Sequence, residues 1–568
     1  MHELVRTVIH EALDTLGFPR GEFTVEYTTH ESHGDVATNI AMNIAKGLEK
    51  SPREVAQTLA DAVRERLGAR AKSVEVAGPG FINISFSASF YESVLEEALR
   101  AGDAWGSATM LSGKRIIIEY ANPNPFKEMH IGHLMGAIIG ESLSRFFQNA
   151  GAQTARDTFG GDVGPHVAKA LFGLHHSGIS TPTSSKEIGE AYVYGSRAYE
   201  DSTDTHDEID KLNVALYHVL EKHFVNENLT QDEQELYETW QAGREVSMKA
   251  FEHLYEMLDI HFDYVFYDSD TVTPGLEAVK RGLSENIFEK SDGAIIYRGE
   301  KKGLHTLVFV TSHGTPTYET KDLGLALIKE KKFPSDKSII ITANEQVGHF
   351  NVMLCALSEI EGALAKKTIH VPHGFMRLTT GKMSSRKGTV VTASALIENV
   401  IAIAKEKNED DEVATKVAIG AIVYMVLRQS PGADIIFDPE KSLSLEGDSG
   451  PYIQYALVRA LSVLRSAGEG GRDATSSRPQ HQSPPHPYIL MRTLAQFPDV
   501  VAYAQERMAP NFLVTYLTKL ASQWNTFYAS ERIIGGEQQE QMLRMAKLFA
   551  QTMSNGMKLL GVPILEKM

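Results

Sequence analysis

Hydrophobic and polar positions follow different periods in successive parts of the chain, and this pattern divides it into three domains. Residues 1–105 combine helical spacing with a short alternating strand near their end. Residues 106–395 contain short aliphatic runs separated by helical stretches, a pattern typical of parallel sheets. Residues 396–568 show helical spacing almost throughout. We therefore predict an α/β protein with a small α/β N-terminal domain, a central parallel-sheet domain and an all-α C-terminal domain.

The central domain opens with the stretch that carries the candidate chemistry. Three isoleucines at 116–118 form an apolar run typical of a buried strand. The sequence Asn-Pro-Asn-Pro at 122–125 must leave regular structure, because proline fixes φ and restricts the residue before it. A helix is predicted to begin near His133. Strand, turn and helix together predict the start of a Rossmann-type nucleotide-binding sheet.

Residues 171–300 are predicted to be an insertion between the two halves of that sheet. They are polar, acidic and partly helical, and they indicate no chemistry of their own. Asp263, Asp268 and Asp270 are spaced like metal ligands, but the aromatic run at 264–267 between them is typical of a strand. We expect these carboxylates to face the surface.

Composition narrows the class of protein. Hydrophobic residues make up 42% and charged residues 23%, as in ordinary globular proteins. No apolar run approaches the roughly 18–20 residues that span a bilayer, and the first residues lack the pattern of a signal peptide. The single cysteine, Cys355, excludes a disulfide framework and a thiolate zinc cluster, so we expect no zinc and a cytoplasmic location. The net charge of -17 argues against broad nucleic-acid binding but allows a local basic track.

The turn before the central helix carries a histidine motif, His130-Ile131-Gly132-His133. Two imidazoles three residues apart share a helix face, where free backbone N–H groups and the helix dipole favour an anion. Glycine between them lets a flat ring or a phosphate approach the backbone. The alternative is that the histidines only cap or pack, since so short a motif is weak alone. Its position after a buried strand favours a nucleotide site.

A second cluster follows much later, in the segment TGKMSSRKG at 380–388. Its three cations, Lys382, Arg386 and Lys387, lie between two glycines, as in an electropositive loop. Such a loop closes on a polyphosphate and spreads the charge that develops on the transferred phosphorus. A solvated surface turn is the alternative and would be preferred for this string alone. The histidine motif in the same chain favours the catalytic interpretation.

Together the two motifs resemble the paired signature of the class I aminoacyl-tRNA synthetases. Three further stretches narrow the resemblance to the arginyl-tRNA synthetase family. They are the strand end at 119–124 with Lys127, the helix start Tyr-Glu-Thr-Lys-Asp-Leu at 318–323 and the segment Glu-Gln-Val-Gly-His-Phe at 345–350. The likeness extends over nearly the whole chain.

The resemblance implies ATP-dependent attachment of L-arginine to tRNA(Arg) through an arginyl-adenylate, with Mg²⁺ accompanying the nucleotide. The residues it assigns to catalysis are Lys127, His130, His133 and Lys382. Those it assigns to ATP are His130, Gly132, His133, Gln346, His349, Lys382, Met383, Ser384 and Ser385. Those it assigns to arginine are Glu119, Asn122, Asn124, His133, Tyr318, Asp322 and Gln346. The guanidinium is expected at Asp322, because a planar guanidinium prefers a carboxylate fork.

The resemblance also implies an RNA partner for both terminal domains. The N-terminal domain is expected to touch the tRNA elbow, and the C-terminal helices are expected to bind the anticodon. Aromatic residues on helices usually pack in cores, but exposed ones stack on unpaired bases. The candidate tRNA contacts are Asn39, Tyr455, Trp524, Asn525, Tyr528 and Met568. We expect a monomer.

One departure from the family pattern concerns the lysine loop. The family carries a second lysine where this chain has Ser385, and Lys387 lies two positions later. The division of charge among Lys127, Lys382, Arg386 and Lys387 therefore stays open.

Three rival functions remain. The nearest rival is a class I synthetase for another amino acid, such as glutamate or glutamine. An acidic substrate would need arginine or lysine in the pocket instead of Asp322 and Glu119. A small-molecule nucleotidyltransferase has no use for the long run of C-terminal helices. An inactive RNA-binding relative would not need the two histidines together with Lys382.

Overall fold

The computed structural model describes residues 1–28, 30–379, 391–468, 487–536 and 538–568. The N-terminal domain is built from α1 (His2–Leu16), β1 (Val25–Tyr27), β2 (Val36–Thr38), α2 (Ile40–Ile44), α3 (Pro52–Leu67), β3 (Ala71–Ala77), β4 (Phe81–Phe86) and α4 (Ala88–Ala101). Its four strands form an antiparallel sheet in the order β1–β2–β4–β3. Ser51 and Glu54 form a capping box that fixes the start of α3. The apolar faces of α1 and α3 pack on this sheet and supply the domain core.

The central domain begins with the predicted buried strand. Its elements are β5 (Arg115–Glu119), α5 (Ile131–Asn149), β6 (Gln153–Gly160), α6 (Pro165–His176), α7 (Ser185–Asp201), α8 (Thr203–Phe224), α9 (Gln231–Met257), β7 (Tyr264–Tyr267), α10 (Asp268–Ser284), β8 (Glu289–Ser291), β9 (Ala294–Tyr297), β10 (Leu307–Val310), α11 (Tyr318–Lys332), β11 (Lys337–Ala343), α12 (Val347–Ile360), α13 (Gly362–Lys367), β12 (Thr368–His373) and β13 (Met376–Leu378).

Five of these strands form one parallel sheet in the order β12–β11–β5–β6–β7. The chain runs outward from β5 to β7 on one side and later adds β11 and β12 on the other. The order therefore reverses beside β5, and ligands of open α/β sheets bind at the carboxyl ends of strands at such a reversal. The predicted Rossmann-type sheet is confirmed.

The segment predicted to be an insertion, 171–300, contains one strand of the main sheet. Helices α7, α8 and α9 do stand between β6 and β7, but β7 pairs in parallel with β6 as the edge strand. A separate antiparallel sheet, β8–β9–β10, follows. The sequence did not indicate that β7 belongs to the main sheet. The residues around this four-residue strand are polar and acidic, and an edge strand need not be apolar on both faces.

The C-terminal domain is helical, as predicted, apart from one short strand. Its elements are α14 (Ala393–Lys405), α15 (Asp411–Leu427), β14 (Ile435–Phe437), α16 (Pro439–Ser442), α17 (Gly450–Gly468), α18 (Pro487–Ala495), α19 (Phe497–Glu506), α20 (Asn511–Ser530) and α21 (Gln539–Leu560). The short strand β14 pairs in parallel with β13 of the central domain. Arg492 on α18 forms a buried ion pair with Asp35 at 2.9 Å and so fixes the N-terminal domain against the helices. None of the described helices is both long and apolar enough to cross a membrane.

Candidate active site

The connection from β5 to α5 leaves regular backbone geometry at three residues that are not glycine. Ala121, Asn122 and Phe126 have φ of 69°, 50° and 67°. Such conformations are uncommon for residues with a Cβ and persist only where the surroundings enforce them. The Asn122 side chain provides that restraint: its Nδ2 donates to Glu119 Oε1 and its Oδ1 accepts from the Phe159 backbone N–H, both at 2.9 Å. The segment is therefore held open at the sheet reversal.

The histidine motif starts α5 as predicted, and the two imidazoles cap the helix as well as face the cleft. His130 is the N-cap residue, and its Nδ1 accepts a hydrogen bond from the Gly132 backbone N–H at 3.0 Å. The two rings stack with centroids 3.6 Å apart. A Cβ at Gly132 would lie 2.9 Å from His130 Cε1, so the glycine makes room for the neighbouring ring. The capping and ligand-binding interpretations are thus compatible.

Both imidazoles favour the neutral form. Burial lowers the pKa of His130, and Lys127 and His373 act in the same direction. Burial, His130 and Lys127 hold the pKa of His133 well below its ordinary value. A neutral imidazole keeps one ring N–H donor, so the pair offers hydrogen bonds to phosphate oxygens without a buried charge.

A cleft of about 430 Å³ lies at the carboxyl ends of the strands and brings most of the predicted side chains together. The predicted residues that line it are Glu119, Asn122, Asn124, His130, Gly132, His133, Tyr318, Asp322, Gln346 and His349. Arginine-assigned and ATP-assigned residues therefore share one cavity, although they come from four separate stretches of the chain. Tyr318 stands at the rim with 57% of its surface exposed.

Lys127 does not line this cleft. Its ammonium lies over the ring of Tyr192 on α7, 4.8 Å from the ring centroid. Its charge nevertheless lowers the pKa of both His130 and His133, although other causes are larger. Lys127 therefore contacts the insertion through Tyr192, while its charge still acts on the two imidazoles.

At the other end of the cleft Asp322 is bonded to a histidine that the sequence assigned to ATP. His349 Nε2 donates to Asp322 Oδ2, and His349 Nδ1 lies 3.4 Å from Glu319 Oε1. Burial alone would lower the pKa of His349, but the two carboxylates raise it to about 10. Burial raises the pKa of Asp322, and the imidazolium opposes that rise. Two carboxylates and one imidazolium leave this corner with a net negative charge.

Glu119 is less free than its assignment to arginine requires. Its Oε2 accepts from Lys329 Nζ at 2.9 Å while Oε1 bonds Asn122, and the residue is 2% exposed. Lys329 also pairs with Asp157 at 2.9 Å. Burial alone would lower the pKa of the Lys329 ammonium, but Asp157 and Glu119 outweigh it and raise the pKa. The Glu119 carboxylate thus lines the cleft already paired with a cation that it shares with Asp157.

Sequence reasoning missed Lys329, although one signal was present. It follows Asp322 by seven residues, two helical turns along the same face of α11. The other lysines in the last turn of α11, Lys331 and Lys332, lack this spacing.

The three aspartates expected to face the surface behave differently. Asp263 and Asp270 are exposed as expected, but Asp268 is wrong, since it is 1% exposed and lines the cleft. It pairs with the buried Lys321 at 2.6 Å. Asp268 follows the buried Phe266 by two residues, so the period of two along β7 continues into the first residue of α10 and turns Asp268 inward. Within the described ranges no three His, Cys, Asp or Glu side chains are grouped to hold a metal.

The predicted lysine loop, with Lys382, Met383, Ser384 and Ser385, lies outside the described residues. The chain directly after it is described and contacts the histidine motif. The Ile131 backbone N–H donates to Val391 O at 3.2 Å, and Ala393 N–H donates to Met129 O at 2.7 Å. These two bonds tie residues 391–393 to the start of α5.

The predicted tRNA contacts divide into partly exposed residues and one core residue. Trp524 is 0% exposed and stacks on Phe549 at 4.5 Å, so its assignment to base stacking is wrong. Helical spacing on α20 turns this ring into the bundle, as it does most helical aromatics. The others are partly exposed: Asn39, Tyr455, Asn525, Tyr528 and Met568.

One arginine organises three of those C-terminal side chains. Arg459 donates to Asn525 Oδ1 at 3.0 Å and to the Tyr455 hydroxyl at 2.9 Å, and its guanidinium lies over the Tyr528 ring. Helices α17 and α20 thereby present a cationic and aromatic group at one surface.

Comparison with known proteins agrees with this geometry. A family model described as tRNA synthetases class I (R), catalytic domain, matches residues 94–439. Models of the arginyl tRNA synthetase N terminal domain and of the DALR anticodon binding domain match residues 3–86 and 453–568. The arginine–tRNA ligase of Bdellovibrio bacteriovorus is 31% identical over 556 residues, covering 94% of this chain and 92% of that protein.

Two further relatives extend the match over the whole length. The arginine–tRNA ligase of Treponema denticola is 28% identical over 566 residues, covering 96% of this chain and 95% of that protein. The solved structure of Thermus thermophilus arginyl-tRNA synthetase matches with a TM-score of 0.80 and 25% identity over 100% of both chains. With the catalytic model over most of its length and both terminal models in their places, the chain belongs to the class I arginyl-tRNA synthetase family.

Proposed function

We propose that the cleft at the sheet reversal is where the arginine–tRNA ligase reaction of this family takes place, with arginine at the Asp322 end and ATP at the His130 end. The observation that supports this most directly is the shared cavity, which Asp322, Tyr318, His130 and His133 all line. Phosphoryl-type transfer asks a protein mainly for alignment and charge stabilisation. A cavity lined by carboxylates at one end and imidazoles at the other meets both needs.

Asp322 takes the guanidinium in this proposal, with Tyr318 at the rim beside it. The corner formed by Asp322, Glu319 and protonated His349 carries a net negative charge that a guanidinium neutralises. Glu119, Asn122 and Asn124 shape the floor, while Gln346 faces the cleft from the end of β11. Asn124 Oδ1 is fixed by the Gly161 backbone N–H at 3.1 Å, so the Asn124 amide is oriented before substrate arrives.

In the first step a carboxylate oxygen of arginine attacks the α-phosphorus of ATP. The bond from that phosphorus to the bridging oxygen breaks, giving arginyl-adenylate and pyrophosphate. In the second step a terminal ribose hydroxyl of tRNA(Arg) attacks the arginyl carbonyl carbon, and AMP leaves. The two steps use the same alignment of arginine and nucleotide.

The ring N–H groups of His130 and His133 donate hydrogen bonds to phosphate oxygens, and Gly132 leaves room for the His130 ring. Lys127 and Lys382 stabilise the negative charge that grows during transfer. The contacts of Val391 and Ala393 with the start of α5 support the placement of Lys382 at this end.

Mg²⁺ is proposed to enter with ATP and to neutralise charge on its phosphates. Mg²⁺ at nucleotide sites takes one or two carboxylates together with phosphate oxygens. Glu345 fits this requirement, because it lines the cleft and its charge acts on His130.

The RNA contacts are proposed at both terminal domains. Tyr455, Asn525 and Tyr528, gathered around Arg459, are suited to bases that leave their stack. Asn39 and Met568 remain candidates, and we retain a monomer and a cytoplasmic location as predictions.

A charging assay tests the proposal. The purified chain with ATP, Mg²⁺, labelled L-arginine and purified tRNA(Arg) is expected to form labelled tRNA, and omission of ATP is expected to abolish it. Charging with glutamate in place of arginine, or no charging at all, would overturn the assignment.

A further inference from the structure

The insertion contacts a catalytic lysine through an aromatic ring. Tyr192 on α7 packs against the apolar core that α6, α8 and α9 share, so its ring is fixed by the insertion. The Lys127 ammonium lies 4.8 Å from the centre of that ring. Lys127 itself belongs to the connection between β5 and α5, which also carries Asn124 and His130.

Lys127 is held by an aromatic ring, a partner that leaves its positive charge available for a substrate. Among the described residues no carboxylate forms an ion pair with Lys127, whereas Lys321 and Lys329 each pair with one within 3 Å. A carboxylate would neutralise the ammonium before ATP arrived. An aromatic face holds a cation by its quadrupole and leaves the positive charge in place. The ring therefore restrains the position of Lys127 without cancelling its charge.

The held position is close to the phosphate-binding imidazoles. Burial is the largest cause of the lowered pKa of His130 and His133, and the charge of Lys127 contributes to both shifts. The lysine loop has Ser385 where the family carries a lysine, with Lys387 two positions later.

We propose that Tyr192 is a positioning residue for the activation step: its ring holds the Lys127 ammonium beside the triphosphate site, which makes the insertion part of the catalytic apparatus. The inference rests on the proposed role of Lys127. It goes beyond that role by assigning a function to residues of α7, where the sequence indicated none.

The same helix offers a matched control. Tyr199, also on α7, lies under the Lys169 ammonium with 4.0 Å between nitrogen and ring centre. Lys169 does not line the cleft, nor does Tyr199. Loss of the Tyr199 ring removes a similar contact from the same helix without touching the lysine at the site.

A double-mutant cycle on ATP–pyrophosphate exchange, with arginine and tRNA(Arg) present, tests the proposal. Tyr192→Leu is expected to lower kcat by about 3- to 30-fold, the range for loss of a partly desolvated cation–π contact. Tyr192→Phe keeps the ring but removes the hydroxyl, which also hydrogen-bonds with Lys127, so it is expected to lower kcat by less than Tyr192→Leu does. In a Lys127→Ala background Tyr192→Leu is expected to have no further effect, and Tyr199→Leu is expected to leave kcat unchanged in both backgrounds.

An equal loss from Tyr192→Leu with and without Lys127 would overturn the proposal and make the ring a packing residue only. Unchanged exchange in Tyr192→Leu would also overturn it. Tyr192→Met provides a second removal of the ring, and arginine affinity measured by calorimetry reports whether each variant is folded. If wild type exchanged no pyrophosphate with arginine, the proposed function itself would fail, which is a different result from a failed cycle.

Discussion

At the end of the cleft proposed for arginine the charged side chains belong to regular elements and are paired with one another. At the end proposed for the nucleotide the imidazoles favour the neutral form, and the cations come from connecting segments. Lys329, Asp322 and His349 lie on α11 and α12, and Glu119 ends β5. Lys127 lies between β5 and α5, and Lys382 lies between β13 and α14. The difference matches the two ligands: the guanidinium of arginine is a single planar charge, and a triphosphate brings several charges.

The pairing of these side chains explains how buried carboxylates can line a proposed cation site without destabilising the fold. A buried charge needs a partner, because desolvation otherwise costs several kcal/mol. Lys329 meets this need for Glu119 and Asp157, while His349 meets it for Asp322. The arginine end is therefore preorganised, and the nucleotide end keeps positive charge available for phosphate.

The largest effect is expected from Lys329→Met, which breaks the arginine end. Glu119 and Asp157 would stay buried without a cation, and loss of one partner of a buried ion pair costs about 3–5 kcal/mol. We expect a lower urea midpoint for the catalytic domain and weaker arginine binding. Lys114→Met is the control, since Lys114 pairs with Asp336 at the surface with 56% of its side chain exposed and should cost about 1 kcal/mol at most. Equal midpoints for the two variants would contradict the account.

At the nucleotide end Lys382→Ala is expected to lower turnover by about 10²- to 10³-fold, the usual loss when a transition-state contact is removed. Single-turnover formation of adenylate measures the effect, and arginine affinity should stay near that of wild type. Lys290→Ala, at an exposed site on β8, serves as the control. Full turnover in Lys382→Ala would show that charge stabilisation lies elsewhere, with Arg386 and Lys387 as the remaining cations of the loop.

A smaller effect is expected from His349→Gln, and it depends on pH. The pKa of His349 rises from an ordinary 6.5 to about 10 on folding. The native state therefore binds more protons between these values, and the stabilisation is complete below about 6.5 and is lost as pH rises through about 10. We expect the stability difference between wild type and His349→Gln to shrink steadily across that window.

Denaturation midpoints at several pH values measure this trend. His218→Gln is the control at an exposed position, because the His218 side chain is 72% exposed. A difference between wild type and His349→Gln that did not change with pH would mean that His349 is neutral in the folded protein.

The sequence predicted the geometry around His130 more fully than the geometry around Asp322, for a physical reason. His130, Gly132 and His133 are contiguous, so their shared helix turn follows from local geometry alone. Tyr318 and Asp322 are four residues apart on α11, so their shared helix face also follows from local geometry. Glu119 and Lys329 are 210 residues apart, and only the parallel pairing of β5 with β11 brings their elements together. No local sequence pattern predicts an ion pair between residues so far apart in the chain.

Trp524 is a second case in which local sequence was not enough to predict the surroundings of a side chain. Its helix was predicted, but whether an aromatic ring on that helix stacks on RNA or fills the bundle depends on where α21 lies. Phe549 of α21 covers it. Tyr528 lies on the same helix four residues later, but it is partly exposed.

The guanidinium site is tested most directly by pyrophosphate exchange with Asp322→Asn in the presence of tRNA(Arg), at varied arginine concentrations. Truncating one partner of a buried charge pair costs about 2–5 kcal/mol, so kcat/KM for arginine is expected to fall by about 30-fold or more. KM for ATP is expected to stay within about twofold, because the nucleotide binds at the other end. An unchanged kcat/KM for arginine, or wild-type exchange with glutamate, would contradict the account.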